Sequence, residues 1–186
     1  MLEPLDWEWL LRTGRPHGML PLLHRYLGAC PNTVPASVFA ALDDQFQTNA
    51  RRTLHLAAEL LGLVDRFAAH GVAAVPYKGP TVALRCYGDL ALRPFRDLDF
   101  LIRTRDLPAA ERVLAAEGYR PPPGRTPRQE GASRAITCED AFWRDGDIVE
   151  LHWAFAPPEF PLPLDLDDVW ARLEPLPLGP TLVRTL

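Results

Sequence analysis

The sequence predicts an α/β (α+β) fold: a small mixed or antiparallel sheet with helices on one face, preceded by an N-terminal helical annex. Apolar residues recur at helical spacing over residues 36–70, which indicates an amphipathic helical segment, either one long helix or two with a break near Asn49. Residues 96–102 alternate with period two, as a strand does when one of its faces is buried. Two β-rich segments flank Asp145-Gly146, a dipeptide typical of a tight hairpin turn.

The N-terminal part is predicted to be helical. Two short helices are expected at residues 4–12 and 19–28. The long helix has Pro35 at its start and Gly71 as its stop signal, because proline suits the first turn of a helix and glycine the position after its end. The apolar stripe predicted for the long helix comprises Leu42, Phe46, Leu54, Ala57, Leu61, Val64 and Ala68.

After Gly71 the pattern changes to alternating strands and helices. The expected elements are a strand at 72–77, a helix at 81–87, a strand at 96–102, a helix at 107–117, a loop at 121–134, hairpin strands at 135–143 and 147–154, a proline-rich extended segment at 155–164 and a helix at 166–173. The tail after residue 178 has no recognisable terminal element. We therefore expect two domains, an annex at 1–71 and an α/β core at 72–186.

Composition excludes several classes of protein. The net charge is −4, so the basic face typical of proteins that bind long nucleic acids is not expected. No apolar run approaches the ~20 residues of a membrane helix, and the acidic N-terminus is unlike a secretion signal. Cys30, Cys86 and Cys138 are widely spaced and fit neither a disulfide framework nor a zinc site. We expect a cytoplasmic protein with no membrane partner.

The strand at 96–102 carries two acids on one face. Side chains on a strand alternate between faces, so Asp97 and Asp99 lie together, opposite the apolar Leu98, Phe100 and Ile102. Two carboxylates ~5 Å apart repel each other by about 3 kcal/mol at an effective dielectric constant of ~20. A cation, an arginine or an added proton must offset that repulsion.

The strand at 147–154 adds a third acid. Glu150 and His152 share one of its faces. If the two strands are neighbours, Glu150 joins Asp97 and Asp99 in a site of hard oxygen ligands, which suits Mg²⁺. For His152 we expect an ordinary polar-face position, or a place beside the metal ligands, rather than a direct catalytic role.

Lys78 is the single lysine in a chain whose other nineteen basic residues are arginines. It precedes Gly79 at a turn between a strand and a helix, where glycine lets the backbone approach a ligand closely and lysine supplies a mobile charge for phosphate. Arg93 and Arg96 flank the acidic pair and are candidates for further phosphate contacts.

A structural interpretation remains open for each of these residues. Asp97 and Asp99 could form an ion-pair network with nearby arginines such as Arg103, Glu150 could be an ion-paired acid of the hairpin, and Lys78 could be a surface residue at a turn. The presence of all three features in one chain favours the metal site.

The segment YKGPTVALRCYGDLALRPFRDLDFLI, together with IVELHW further on, resembles the nucleotidyltransferase superfamily with its polymerase-beta-like palm. Within it, the chain is most similar to the group called uncharacterised nucleotidyltransferases. The resemblance implies transfer of a nucleoside monophosphate from an NTP such as ATP, with two Mg²⁺ or Mn²⁺ ions. Asp97 and Asp99 would bind both ions and Glu150 one of them, while Lys78 and Gly79 would position phosphates.

Two departures from this pattern bear on the expectation. The turn reads Gly79-Pro80 where the wider superfamily has Gly-Ser, and the chain stops at Leu186 where the close group continues into further helices, as a short or truncated member would. The acceptor is open: a small molecule, a peptide or protein, or RNA. The alternative function is a non-catalytic or regulatory binding module of the same fold, for example a toxin–antitoxin-type partner. Two copies are expected to associate, if at all, through the annex.

Overall fold

The computed structural model describes residues 5–123, 134, 136–160 and 164–186. In these ranges the α-helices are α1 (Trp7–Gly14), α2 (Leu20–Leu27), α3 (Ala36–Ala69), α4 (Pro80–Tyr87), α5 (Leu107–Ala116) and α6 (Leu166–Ala171). The strands are β1 (Ala74–Pro76), β2 (Asp97–Ile102), β3 (Glu139–Arg144), β4 (Asp147–His152), β5 (Glu174–Leu178) and β6 (Thr181–Thr185). Short 3₁₀ helices occupy Pro31–Thr33, Leu90–Leu92 and Thr104–Asp106. Helices and a mixed sheet in one chain confirm the predicted α+β class.

The chain divides into two compact units. The first comprises Met1–His55 and Ala83–Phe95, and the second comprises Leu56–Val82 and Arg96–Leu186. This division follows the contacts of the folded chain, whereas the expected boundary between residues 71 and 72 follows sequence pattern, and that boundary stays a prediction.

The first unit is helical. The Asp6 side chain accepts a hydrogen bond from the Trp9 backbone N–H at 2.9 Å and so begins α1, as an N-cap does. Asn49 of α3 donates to the Ala91 carbonyl at 2.6 Å and thereby anchors the 3₁₀ helix Leu90–Leu92. His24 of α2 stacks on Phe46 with 4.5 Å between the ring centroids.

The extent of α3 agrees with the sequence prediction within one residue at each end, but its buried face does not. Leu42 and Ala57 are buried as predicted, whereas Leu54 is 61% exposed and Leu61 is only partly buried. The fully buried row in the second half of the helix is Leu56, Leu60, Leu63 and Phe67. Two adjacent rows of this helix have apolar residues at helical spacing, so periodicity alone does not choose between them.

The second unit is built on a four-stranded sheet of order β1-β2-β4-β3. β2 and β4 pair in parallel, and the other two pairings are antiparallel. One face carries the core residues Leu98, Phe100, Val149 and Leu151, which are all fully buried. Phe100 meets Phe67 of α3 edge to face at 5.3 Å between the ring centroids. The opposite face carries the predicted acids.

The β3–β4 hairpin forms around Asp145 and Gly146 as the sequence predicts. Both residues have positive φ, 49° and 91°, which a two-residue hairpin turn of this type requires. The pairing Arg144↔Asp147 beside the turn fixes the register of the whole hairpin.

A second hairpin forms from β5 and β6, and β6 lies in the tail after residue 178, where no element was recognised in the sequence. Pro175 and Pro177 occupy alternate positions of β5, so their missing N–H groups lie on the same edge. Such an edge strand tolerates proline because those groups need no partner in the ladder. Thr185 of β6 donates its hydroxyl to the Pro76 carbonyl of β1 at 2.6 Å, which ties the hairpin to the main sheet.

Parts of the predicted loop at 121–134 and of the extended segment at 155–164 lie outside the described residues, so those expectations are only partly covered. None of the described helices is both long enough and apolar enough to span a bilayer. Cys30, Cys86 and Cys138 are free thiols.

Candidate active site

The site is formed where β2 and β4 run side by side. Their parallel register pairs Asp99 with Glu150 and Leu101 with His152. Residues paired in this way share a face of the sheet, so Asp99, Glu150 and His152 are brought together. The strands are therefore neighbours, which is the condition on which the predicted three-acid site depends.

His152 lies at the centre of the site. It is only 2% exposed. Its Nε2 atom is 3.0 Å from Asp99 Oδ1 and 3.2 Å from Glu150 Oε2. Ligand atoms of these three residues lie within 4.8 Å of one another, a spacing that lets one cation touch all three.

Glu139 holds the other side of the imidazole ring. Its Oε2 atom lies 3.1 Å from His152 Nδ1, because β3 pairs Glu139 with His152. Glu139 was not among the site residues predicted from the sequence. The Asp145-Gly146 turn was the signal that could have found it, since a two-residue turn fixes which residues of the two strands face each other.

Lys78 follows β1, and its side chain contacts the carboxylate of Asp99. Its Nζ atom lies 2.7 Å from Asp99 Oδ1 and 5.1 Å from the centroid of the Tyr77 ring. Tyr77 in turn meets the His152 ring edge to face at 5.3 Å. Burial and the charge of Asp99 raise the pKa of Tyr77 to about 12 against the opposing effect of Lys78, so the phenol stays neutral near pH 7.

The two central carboxylates have opposite pKa shifts. Burial alone would raise the pKa of Asp99, but hydrogen bonds from His152 and Lys78 outweigh it and hold that pKa below its usual value. Burial raises the pKa of Glu150, and the charges of Asp99 and Glu139 raise it further. The ionised form of Asp99 is therefore favoured, whereas the ionised form of Glu150 is disfavoured by the negative charges around it.

The remaining predicted residues are placed as follows. Asp97 is half-buried on the same face as Asp99, and its charge also raises the pKa of Glu150. Among the described residues, the group whose ligand atoms converge contains His152 and not Asp97. Arg96 is exposed just before β2, and Arg93 belongs to the first unit. Gly79 has φ 50°, a backbone conformation that favours glycine.

The donor atoms suit a divalent cation. Carboxylate oxygens are ligands of Mg²⁺ and Mn²⁺, and imidazole nitrogen is a common ligand of transition metals. The ring is held by Glu139 on the side away from the cluster, as metal-binding histidines usually are. Asp99, Glu150 and His152 therefore fit a metal centre, with Asp97 next to them on the sheet.

The fold and the site together define a class: an α+β protein with two acids and a histidine clustered on a sheet face and a lysine at the neighbouring strand–helix turn. A family model described as "Uncharacterised nucleotidyltransferase" matches residues 3–186. The chain belongs to this family, and the resemblance seen in the sequence is confirmed. No curated protein and no solved structure gave a significant match.

Proposed function

We propose that this protein transfers a nucleoside monophosphate from an NTP to a hydroxyl or other nucleophile of an acceptor, in a metal-dependent reaction. The observation that carries the proposal is the convergence of Asp99 and Glu150 beside Lys78, in a member of a nucleotidyltransferase family. A purely structural ion-pair network has no need to place two acids in contact with one imidazole, because the two carboxylates then repel each other.

Asp99 and Glu150 would hold the metal, with Asp97 as the neighbouring acid that the family resemblance assigns to the same task. Two ions, Mg²⁺ or Mn²⁺, are the number expected. When bound, such ions lower the pKa of an attacking hydroxyl and neutralise the charge of the triphosphate and the leaving pyrophosphate.

Lys78 has the task of binding phosphate. Its side chain is 44% exposed, whereas that of Asp99 is 2% exposed, so the ammonium group lies between the buried carboxylate and solvent. Gly79 lets the backbone approach a phosphate at the same turn. The protein's contribution is to position the reactants and to stabilise charge.

The proposal is tested by incubating the purified protein with each α-labelled NTP, ATP first, with Mg²⁺ or Mn²⁺ and a lysate of the source cell. We expect label on a protein, an RNA or a small molecule, which identifies the class of acceptor. The variant Asp99→Asn should abolish transfer. The matched control is Asp167→Asn, which changes an aspartate that is 80% exposed and paired with Arg103.

Equal labelling by the wild type and Asp99→Asn would refute the assignment of the site. Triphosphate binding that is lost in Asp99→Asn, with no label transferred under any condition, would favour the non-catalytic binding module instead.

A further inference from the structure

We propose that His152 Nε2 is itself a metal ligand, so that the site takes a transition-metal cation such as Mn²⁺ or Co²⁺ in preference to Mg²⁺. This inference deepens the proposed function and rests on it for the location of the metal. With His152 as a ligand, the site consists of two carboxylates and one imidazole nitrogen rather than of carboxylates alone.

The position of the His152 ring places Nε2 between the two carboxylates. Nε2 lies within 3.2 Å of a carboxylate oxygen of Asp99 and of Glu150, and the side chains of His152 and Asp99 are both almost fully buried, at 3% and 2% exposed. A cation that touches both carboxylates in this arrangement also meets Nε2, since the three ligand atoms lie within 4.8 Å of one another.

The orientation of the His152 ring directs Nε2 toward the cluster. Glu139 Oε2 lies 3.1 Å from Nδ1, so a carboxylate stands beside Nδ1 and can hold a proton there. Nε2, which lies 3.0 Å from Asp99 Oδ1 in the metal-free protein, gives up its proton when it presents its lone pair to the metal. A carboxylate behind the imidazole also makes the ring a stronger ligand and fixes its direction. Tyr77, edge to face with the ring, limits its rotation.

Divalent metals differ in their preference for nitrogen and oxygen ligands. Mg²⁺ requires near-ideal octahedral oxygen coordination and keeps several of its waters. Imidazole suits transition metals, whose affinity for a given site rises from Mn²⁺ to Co²⁺ in the first-row order. One nitrogen ligand among oxygens therefore shifts the selectivity of the site away from Mg²⁺.

The test measures metal binding directly. Calorimetric titration of the metal-free protein with Mn²⁺, Co²⁺ and Mg²⁺ gives the three affinities, and we expect Mg²⁺ to bind most weakly. Electron spin-echo modulation of the Mn²⁺-loaded protein should show a coupled imidazole nitrogen. The variant His152→Gln, which offers an oxygen instead, should lose that signal and bind Mn²⁺ and Co²⁺ at least about 10-fold more weakly, with a much smaller effect on Mg²⁺.

Two further variants sharpen the result. Glu139→Gln should weaken Mn²⁺ binding by about 10- to 100-fold, the usual effect of removing the group behind a ligand histidine, while the nitrogen signal persists. The control His70→Gln changes an exposed histidine at the end of the long helix and should leave all three affinities unchanged.

Mn²⁺ that binds without a nitrogen signal in the wild type overturns the proposal, even if His152→Gln does not fold. Equal affinities for Mn²⁺ and Mg²⁺ overturn it as well. The outcomes also separate it from the proposed function. A nitrogen-coordinated metal in a protein that transfers no nucleotide refutes only the function, and transfer supported equally by Mg²⁺ with no nitrogen signal refutes only the inference.

Discussion

Replacing Glu150 by glutamine should stabilise the metal-free protein, although it damages the proposed metal site. The carboxylates of Glu150 and Asp99 offer ligand atoms within 4.8 Å of each other, which corresponds to a repulsion of at least about 3 kcal/mol at an effective dielectric constant of ~20. His152 lies beside both and offsets part of it, so we expect a net gain of about 1–2 kcal/mol in the free energy of unfolding of Glu150→Gln.

The gain should depend on pH with a definite sign. Folding raises the pKa of Glu150 through burial and the charges of Asp99 and Glu139, so the folded state resists ionisation of this group. Below the ordinary glutamate pKa of about 4.3, both states are protonated and the wild type behaves like the variant. As pH rises through that value and then through the raised pKa of the folded state, the wild type loses stability relative to Glu150→Gln.

Urea unfolding with a chelator present, repeated across pH 4–8, measures this difference. The control Glu8→Gln changes a side chain that is 90% exposed and should have little effect at any pH. A Glu150→Gln variant that is less stable than the wild type at pH 7, or a difference that does not change with pH, would refute the repulsion argument. Saturating Mn²⁺ should reverse the order of stabilities, because the bound cation stabilises only the protein that keeps its ligand.

Three further predictions concern the site and the packing around it. Lys78→Ala should weaken triphosphate binding by ~1.5–3 kcal/mol and should also lower the stability of the metal-free protein, because the buried Asp99 carboxylate loses its ammonium partner. Lys78→Arg should impair triphosphate binding too, because the planar guanidinium cannot take the position of the ammonium, and unchanged affinity in a folded variant would make Lys78 a turn residue only. Leu60→Ala removes a fully buried side chain and should lower the free energy of unfolding by ~2–5 kcal/mol, whereas Leu61→Ala removes a half-buried side chain and should lower it clearly less. Equal losses in chemical denaturation would mean that the buried row of the helix is misassigned. Thr185→Val keeps the shape of the side chain but leaves the Pro76 carbonyl without its hydroxyl partner, and should cost about 1–3 kcal/mol, so a neutral result would show that this bond does not anchor the tail hairpin.

The alternation of side chains along each strand, here called strand parity, was the most informative property of the sequence for the site. It placed Asp97 with Asp99, and Glu150 with His152, because a strand alternates its side chains whatever lies beside it. Parity does not give the register between β2 and β4, which are joined through a long connection rather than a tight turn. The sequence could therefore not show that His152 rather than Asp97 completes the converging group.

The long helix shows a related limit. Its ends could be predicted because Pro35 and Gly71 are local signals. The buried face of the helix could not be predicted, since the choice between the row of Leu60 and the row of Leu61 depends on the surfaces against which the helix packs. The β5–β6 hairpin was missed because Pro175 and Pro177 argue against a central strand, and nothing in the tail marks it as an edge.

The charges around Asp99 give a physical reason to expect a lysine rather than an arginine at position 78. Without a metal, the buried Asp99 carboxylate is compensated by the Lys78 ammonium at 2.7 Å and by His152. A divalent cation bound to Asp99 would make the lysine's charge superfluous there and would repel it. The Lys78 side chain is compact at its tip, flexible along its stem and 44% exposed, so it can turn toward a phosphate of the nucleotide. An arginine bound to the same carboxylate would hold it through two parallel hydrogen bonds and would compete with the metal. A lysine at this turn therefore has a physical advantage over an arginine, which the composition of the chain alone does not show.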